Sequence, residues 1–223
     1  MAVTDAAIDQ LKEMILSGRL GPGDRLPREA DLALDLGVSR NSLREAVRAL
    51  SLVRVLDVRQ GDGTYVTSLE PALLMDALAF VVEFQRDSEV LHYLEVRRVL
   101  EPAAAAMAAR RITAEQAADL RRHAVEAVPG LPVEDLVRND LEFHRRIASI
   151  AGNPVLAALI ESVTGPTTRA RVWRGLTQDD AHRRTLAEHL GIVDALERHE
   201  PEIASARSLV HVSAVEDWLR QSL

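Results

Sequence analysis

Residues 20–50 read LGPGDRLPREADLALDLGVSRNSLREAVRAL, and residues 58–66 read VRQGDGTYV. The first stretch predicts two short helices, because an apolar stripe stops at Gly37 and Ser39 then offers a side chain suited to capping a new helix. In that second helix, apolar residues recur on one face and arginines four residues apart occupy another: Arg40, Arg44 and Arg48. The second stretch alternates in strand-like fashion around a Gly-Asp-Gly turn, which predicts a small hairpin.

A further helix precedes this stretch, with Thr4 at its start and Gly18 at its end, so the N-terminal region is predicted to hold three short helices and a hairpin. That order is typical of a winged helix-turn-helix domain, whose recognition helix presents its N-terminal polar side chains to the edges of the bases. The side chains in that position here are Ser39, Arg40, Asn41, Ser42 and Arg44. Arginine can bind guanine through two hydrogen bonds, and serine or asparagine can contact phosphates or adenine. Arginines are also common on an ordinary solvated helix face, so this helix alone leaves both interpretations open.

The composition narrows the classes of protein to which the chain can belong. Of 223 residues, 47% are hydrophobic and only 3% aromatic, which favours packed helices over a β-sandwich. The absence of cysteine excludes disulfides, thiolate zinc sites and cysteine nucleophiles. A formal net charge of −7 argues against a protein that coats nucleic acid indiscriminately, so any DNA contact depends on a local patch. No apolar run approaches the roughly 18 residues of a membrane span, and the first residues do not form a basic, apolar leader, so we expect a cytoplasmic protein without a membrane partner.

After residue 67 the sequence changes character, which predicts a domain boundary. Residues 68–71, SLEP, are typical of a hinge, and residues 71–85, PALLMDALAFVVEFQ, predict an apolar helix. Further helices, separated by breakers that include Gly175, are predicted over residues 88–111, 113–128, 133–151, 154–174, 179–199 and 202–223. We therefore expect a mainly α protein, with a winged helix-turn-helix domain at residues 1–67 and an all-α helical bundle at residues 68–223.

Three histidines lie on predicted apolar helix faces: His144, His189 and His211. Asp140 precedes His144 by one helical turn, a spacing that suits chelation of a metal ion. Three helices can thus direct one carboxylate and three imidazoles into the interior of a bundle, where nitrogen and oxygen ligands suit zinc, nickel, manganese or a similar ion. The same residues are compatible with hydrogen-bonded core histidines and a local ion pair, so the pattern alone does not decide between the two.

The motifs PGDRLP, LGVSR, LREA and GDGTYV within residues 5–66 resemble the DNA-binding domain of GntR-family bacterial transcription regulators. The resemblance implies a dimer that binds operator DNA. It also implies that Arg40 and Arg44 are the main base or phosphate contacts, with Gly61 at the tip of the wing near the minor groove. The residues that would lie beside these arginines are Ser39, Asn41 and Ser42.

The sequence departs from this family pattern at three positions. An arginine is usual in the second helix where Ala30 stands, a glycine is usual at Arg54, and a basic wing residue is common at Asp62. An acid in the wing would repel phosphates and alter operator affinity. Arg28 is our candidate to replace the contact missing at residue 30.

Downstream, the segments LEVRRVLEPAAAAMAARR, NDLEFHRRIASIAGNPVL, LAEHLGIVDAL and ARSLVHVSAVEDWL resemble the FCD effector domain of the FadR-type subfamily of GntR regulators. Many members hold a metal ion through residues that correspond to Asp140, His144, His189 and His211. The resemblance also implies a small carboxylate effector bound against the metal and steadied by an arginine on a helix, for which Arg97 is our candidate. An ion pair of Arg97 with Glu95 or Glu101 is the alternative. Asn153 either lines the same pocket or caps a helix.

Together these features predict a metabolite-responsive bacterial transcription regulator, a repressor or activator that binds a palindromic double-stranded operator as a homodimer. Its C-terminal domain would hold a metal-assisted site for a small carboxylate effector, and residues 67–71 would transmit the effect of the ligand to the DNA-binding domain. Two alternatives remain: a metal-free sensor with structural histidines, and a metal-dependent enzyme that activates water.

Overall fold

The computed structural model of the chain describes residues 3–73, 90–127, 130–178 and 180–222. Contacts between residues divide the chain into two units, residues 1–77 and residues 78–223. The apolar helix predicted over residues 71–85 falls largely on residues 74–89, outside the described residues. No described helix combines the length and the apolar composition that crossing a bilayer requires.

The described part of the N-terminal unit forms a small core from helices and a hairpin. Its elements are α1 (Val3–Leu16), α2 (Glu29–Asp35), α3 (Arg40–Leu52), β1 (Leu56–Arg59) and β2 (Gly63–Val66). The strands pair antiparallel, with Leu56 opposite Val66. Both residues are buried in the same core as Leu11 of α1 and Leu43 of α3, because residues three or four apart share one helix face and alternate strand residues share one sheet face. The winged helix-turn-helix that the sequence predicts is confirmed.

Two local features fix the start of α3 and the turn that follows it. Ser39 Oγ accepts a hydrogen bond from the backbone N–H of Ser42 at 3.0 Å and so caps the helix. Arg54, in the turn before β1, has a φ of 60°, a left-handed conformation that costs a residue other than glycine about 1–2 kcal/mol. This conformation explains why a glycine suits the position where this chain carries Arg54.

The C-terminal unit is helical throughout its described elements. These are α4 (Val90–Ala109), α5 (Ala114–Glu126), α6 (Val133–Ile150), α7 (Pro154–Thr164), α8 (Thr168–Thr177), α9 (Ala181–Glu197) and α10 (Pro201–Ser222). Helix α4 packs along α10. The main core contains Leu120, Phe143, Ile192 and Leu196, which are almost completely buried. The expected all-α bundle is confirmed.

The helix predicted over residues 154–174 is instead divided in two. Helix α7 ends at Thr164, and a 3₁₀ turn, Gly165–Thr167, leads into α8. Pro166 lacks an N–H group and clashes with the preceding turn, which interrupts the α-helical hydrogen bonds. Gly175, predicted as a breaker, lies inside α8, where a Cβ atom would come within 2.6 Å of Val133 Cγ1. The glycine thus permits close packing of α8 against α6 and does not end the helix.

Candidate metal centre and DNA-contacting helix

The residues that the sequence predicts as metal ligands come together inside the C-terminal unit: Asp140, His144, His189 and His211. Helix α6 carries Asp140 and His144, α9 carries His189, and α10 carries His211. Their ligand atoms all lie within 4.8 Å of one another. The three imidazole Nε2 atoms surround Asp140 Oδ1, at 3.2 Å for His189, 3.6 Å for His144 and 3.7 Å for His211. One carboxylate and three imidazoles therefore form a single cluster.

Helical periodicity directs these side chains inward. His189 shares a face of α9 with Ile192 and Val193, both of which are fully buried. Its ring stacks on Phe143 of α6, with ring centroids 3.9 Å apart and the ring planes at 14°. His211 lies one turn before the buried Val215 on α10. Apolar packing on each helix thus orients the imidazoles toward one another.

Two glutamates hold the outer nitrogens of two of the imidazoles. His211 Nδ1 lies 2.8 Å from Glu188 Oε2, with which it forms a hydrogen bond, and His144 Nδ1 lies 2.8 Å from Glu101 Oε2. Because ionised carboxylates can only accept hydrogen bonds, His211 Nδ1 carries the proton and Nε2 of the neutral ring presents a lone pair to the cluster. The Glu101 carboxylate beside His144 Nδ1 favours the same tautomer of a neutral His144.

When the rings are neutral and protonated on Nδ1, no described residue donates a hydrogen bond to the inward-facing nitrogens. His144 Nε2 and His211 Nε2 lie 3.1 Å apart, and His189 Nε2 is buried without a hydrogen-bond partner. A cation held by these three nitrogens and the Asp140 carboxylate would satisfy every one of them. The residues therefore fit a metal ion such as zinc, nickel or manganese.

Burial and neighbouring charges set the protonation states in the cluster. Burial alone would raise the pKa of Asp140, but the Arg171 guanidinium and the adjacent imidazoles hold that pKa well below its usual value. Burial lowers the pKa of His189 to about 3 and also lowers the pKa of His211. Burial opposes the charged form of His144 too, but the glutamate beside its Nδ1 raises the pKa of this imidazole. Near neutral pH, Asp140 is therefore ionised and His189 and His211 are neutral, as metal binding requires, whereas His144 would release its proton when a cation binds.

A cavity of about 90 Å³ adjoins the cluster, and Asp140, His189 and His211 form part of its wall. Two arginines of α8, Arg171 and Arg174, also line it, although they are only 7% and 4% exposed. Arg171 forms an ion pair with the Asp140 carboxylate. The sequence prediction missed both arginines. Their spacing of three residues, which places them on one helix face beside the buried Ala170, was the available signal.

The N-terminal part of α3 exposes side chains that the sequence assigns to DNA contact. Arg40 and Asn41 are exposed, and Arg40 forms no ion pair with any described residue. The hydroxyl oxygens of Ser39 and Ser42 lie 2.8 Å apart and take part in the helix cap. Arg40 and Asn41 are thus available to a partner, whereas the two serines already have one another.

Arg44 and Arg28 extend this basic surface along α3 and α2. The Arg44 side chain is 60% exposed, and its Nε lies 2.9 Å from Glu29 Oε2 on α2. Arg28 immediately precedes α2, is exposed, and makes no side-chain cap. Arg44 is therefore held by a neighbouring carboxylate, while Arg28 extends freely into solvent.

The acidic residue of the wing has partners within its own unit. Tyr65 Oη donates a hydrogen bond to Asp62 Oδ2 at 2.9 Å. Arg25 binds the backbone carbonyl of Asp62, and its Nη1 lies 3.9 Å from the carboxylate. Gly61 lies exposed at the tip, with a φ of 78°. The charge of Asp62 is therefore partly compensated by Arg25, which weakens the phosphate repulsion that the sequence alone predicts.

Comparison with known families accounts for both parts of the chain. Residues 3–66 match the family described as bacterial regulatory proteins, gntR family, and residues 92–214 match the FCD domain. The chain belongs to the GntR family of bacterial regulators and carries an FCD domain. Its relatives are transcriptional regulators and not enzymes, so the metal-dependent enzyme is set aside.

Individual relatives match over nearly the whole chain. The galactonate operon transcriptional repressor of Escherichia coli K12 is 28% identical over 95% of this chain and 94% of its own length. The HTH-type transcriptional regulator LutR of Bacillus subtilis 168 is 30% identical over 92% of this chain and 96% of its own length. Among solved structures, Streptococcus agalactiae GntR matches with a TM-score of 0.71 at 28% identity, covering 96% of this chain and 99% of that protein. The similarity to these regulators thus covers both domains.

Two residues predicted to contact the effector are not among the described residues that line the cavity of this FCD domain. Arg97 is completely buried, and its Nε lies 2.5 Å from Glu101 Oε1, which is the ion pair considered as the alternative. Asn153 Oδ1 accepts hydrogen bonds from two backbone N–H groups in the first turn of α7, each at 3.1 Å, and caps that helix. Effector contact by Arg97 and Asn153 therefore stays a prediction: Asn153 Oδ1 is occupied by the helix cap, whereas Arg97 Nη2 is buried without a hydrogen-bond partner among the described residues.

Proposed function

We propose that this GntR-family chain is a metal-dependent transcriptional repressor that senses a small carboxylate in the cytoplasm. The observation that carries the proposal is the convergence of Asp140 and three imidazoles beside an arginine-lined cavity. A divalent cation in this cluster would supply a positive centre for an anionic ligand. Arg171, which lies against Asp140, is placed to donate hydrogen bonds to a ligand carboxylate at the same point.

The N-terminal unit supports operator binding as a homodimer. The exposed Arg40 and Asn41 at the start of α3 match the chemistry of base-edge recognition in the major groove. A dimer would place two copies of α3 in successive major grooves, about 34 Å apart, so the operator would be an imperfect palindrome. One relative is named for the galactonate operon, and galactonate is a carboxylate, which agrees with the proposed class of effector.

Regulation then depends on a difference in ligand affinity between two arrangements of the domains. An effector alters DNA affinity only if it binds one of those arrangements more tightly than the other. We propose that residues 68–71 form the hinge between them, since they follow the last strand of the DNA-binding unit.

The metal half of the proposal is tested by elemental analysis after exhaustive dialysis. We expect about one divalent metal ion per wild-type chain and its loss in His189→Ala, because a site with three nitrogens and one oxygen loses a ligand. His92→Ala is the matched control, since His92 is exposed on α4, and it should retain the metal. A wild-type chain that retains no metal after incubation with zinc, nickel or manganese would favour a metal-free sensor.

The DNA half is tested by fluorescence anisotropy with an operator fragment at fixed salt. Arg40→Ala and Arg44→Ala are each expected to weaken binding about tenfold or more, since a base contact by arginine is worth about 1–3 kcal/mol. Arg110→Ala, a loss of an exposed arginine in the other domain, is the control. Full operator affinity in both α3 variants, with unchanged metal content, would show that the recognition surface lies elsewhere.

A further inference from the structure

Arg174 lines the same cavity as the metal cluster but does not belong to it. The residue is 4% exposed, and its Nε donates a hydrogen bond to Gln178 Oε1 at 2.9 Å. No carboxylate among the described residues lies within ion-pair distance of Arg174, whereas the buried guanidiniums of Arg97 and Arg171 each have one. Glu188 and Asp140 attract this guanidinium only from beyond ion-pair distance. Burial of a cation without a direct ion pair is costly, so Arg174 is suited to bind an anion that enters the cavity.

His182 adds a second unused polar group to this cavity. Its Nε2 is buried and has no hydrogen-bond partner within the described part of the chain. Thr185, on the same helix, also lines the cavity. An imidazole N–H, a hydroxyl and a guanidinium all donate hydrogen bonds to a carboxylate. The cavity therefore presents donors beyond those that the metal cluster and Arg171 supply.

The charges around the metal cluster also favour a ligand that carries more than one negative charge. Among the charged groups there that are not exposed, acidic and basic ones balance when the imidazoles are neutral, with Asp140, Glu101 and Glu188 opposite Arg97, Arg171 and Arg174. The exposed Arg184 adds further positive charge near Arg174. A divalent cation in the cluster would leave two positive charges in excess. A ligand with one carboxylate compensates only half of that excess, whereas a dianion cancels it.

We propose that Arg174 and His182 form a second anion subsite and that the effector is a small dicarboxylate. One carboxylate would bind at the metal cluster and the other at Arg174. The cavity of about 90 Å³ has room for roughly six to nine heavy atoms, given about 10–15 Å³ for each water-sized group, which is the size of a four-carbon diacid. This inference rests on the proposed function and narrows its class of ligand.

The test compares two acids that differ only at the far end, by isothermal titration calorimetry on the zinc-loaded full chain. Malate and 2-hydroxybutyrate share a 2-hydroxycarboxylate group, but the first ends in a carboxylate and the second in a methyl group. We expect malate to bind about tenfold more tightly or better, since a charge-assisted hydrogen bond contributes about 1.5–3 kcal/mol. Arg174→Gln should lower the malate affinity to that of 2-hydroxybutyrate and leave the affinity for 2-hydroxybutyrate unchanged.

Arg183→Gln is the control for loss of charge, because Arg183 is 79% exposed on the neighbouring helix α9. Arg174→Lys retains the charge without the two-pronged geometry and should give an intermediate preference, which provides a second variant if glutamine at this position prevents folding. Zinc content and the thermal midpoint check that each variant is folded.

Equal affinities for the two acids in the wild-type chain would overturn the dicarboxylate assignment and leave the proposed carboxylate sensor intact. A preference for malate that persists in folded Arg174→Gln would also overturn the inference, since the second carboxylate would then bind elsewhere. A zinc-loaded wild-type chain that binds neither acid would overturn the assignment of a four-carbon dicarboxylate, whereas the proposed function is contradicted only by failure of its own metal and DNA tests.

Discussion

Replacement of Glu188 by glutamine tests how the metal ligands are oriented, with little effect on packing. Glu188 Oε2 lies 2.8 Å from His211 Nδ1, and the glutamate side chain is 21% exposed. Glutamine has the same shape and can still accept a hydrogen bond, but it has no negative charge. The substitution therefore removes the charge assistance to the imidazole and keeps the side-chain volume.

The expected loss of metal affinity follows from the position of Glu188 beside His211. Loss of an outer carboxylate that orients a metal-bound histidine weakens metal binding by about 10–100-fold, or about 1.4–2.8 kcal/mol. Because solvent reaches Glu188 and screens part of its charge, we expect the lower half of that range, about 10–30-fold.

Zinc affinity is measured by competition with a chromophoric chelator, and the visible spectrum of the cobalt-substituted protein reports the ligand geometry. Glu202→Gln is the matched control, since that glutamate lies on α10 with 83% of its side chain exposed. An affinity and a cobalt spectrum that match the wild type within error would refute the reasoning, because Glu188 would then not orient His211.

Other perturbations test the packing and the electrostatics of the fold. Glu101→Gln is expected to lower the free energy of unfolding by about 3–5 kcal/mol in urea titrations, because it leaves the buried Arg97 guanidinium without a charged partner; a loss below about 1 kcal/mol would contradict this role. Arg54→Gly should stabilise the chain by about 0.5–1 kcal/mol, since glycine adopts a φ of 60° without strain, and a lower thermal midpoint would argue against that account. The metal-free chain should lose stability as the pH falls below about 6.5. Folding lowers the pKa of His189 to about 3 and also lowers the pKa of His211. Between about pH 6.5 and pH 3 the unfolded chain therefore binds more protons than the folded chain, and acid favours unfolding. Urea midpoints that do not decrease between about pH 7 and pH 5 would oppose this expectation.

The sequence alone predicts most of the described helices, the hairpin and the residues of the cluster, but it places one helix over residues 154–174 where the chain forms two. Residues four apart share a helix face in any tertiary context, so Asp140 and His144 are predictable as a pair. His189 and His211 stand on apolar faces, which turn toward a core because burial of apolar surface is favourable. The N-terminal helices and the turn at Gly61 follow in the same way from caps, breakers and periodicity.

Only the tertiary structure decided which arginines line the cavity. Arg97, Arg171 and Arg174 all lie on helices with apolar faces, but Arg97 is buried against Glu101 while the other two lie on the cavity wall. The basic partner of Asp62 is likewise distant in sequence, since Arg25 lies 37 residues earlier in the chain. Periodicity establishes which side chains share a face, whereas the group opposite that face depends on how each helix is rotated and packed against elements distant in sequence.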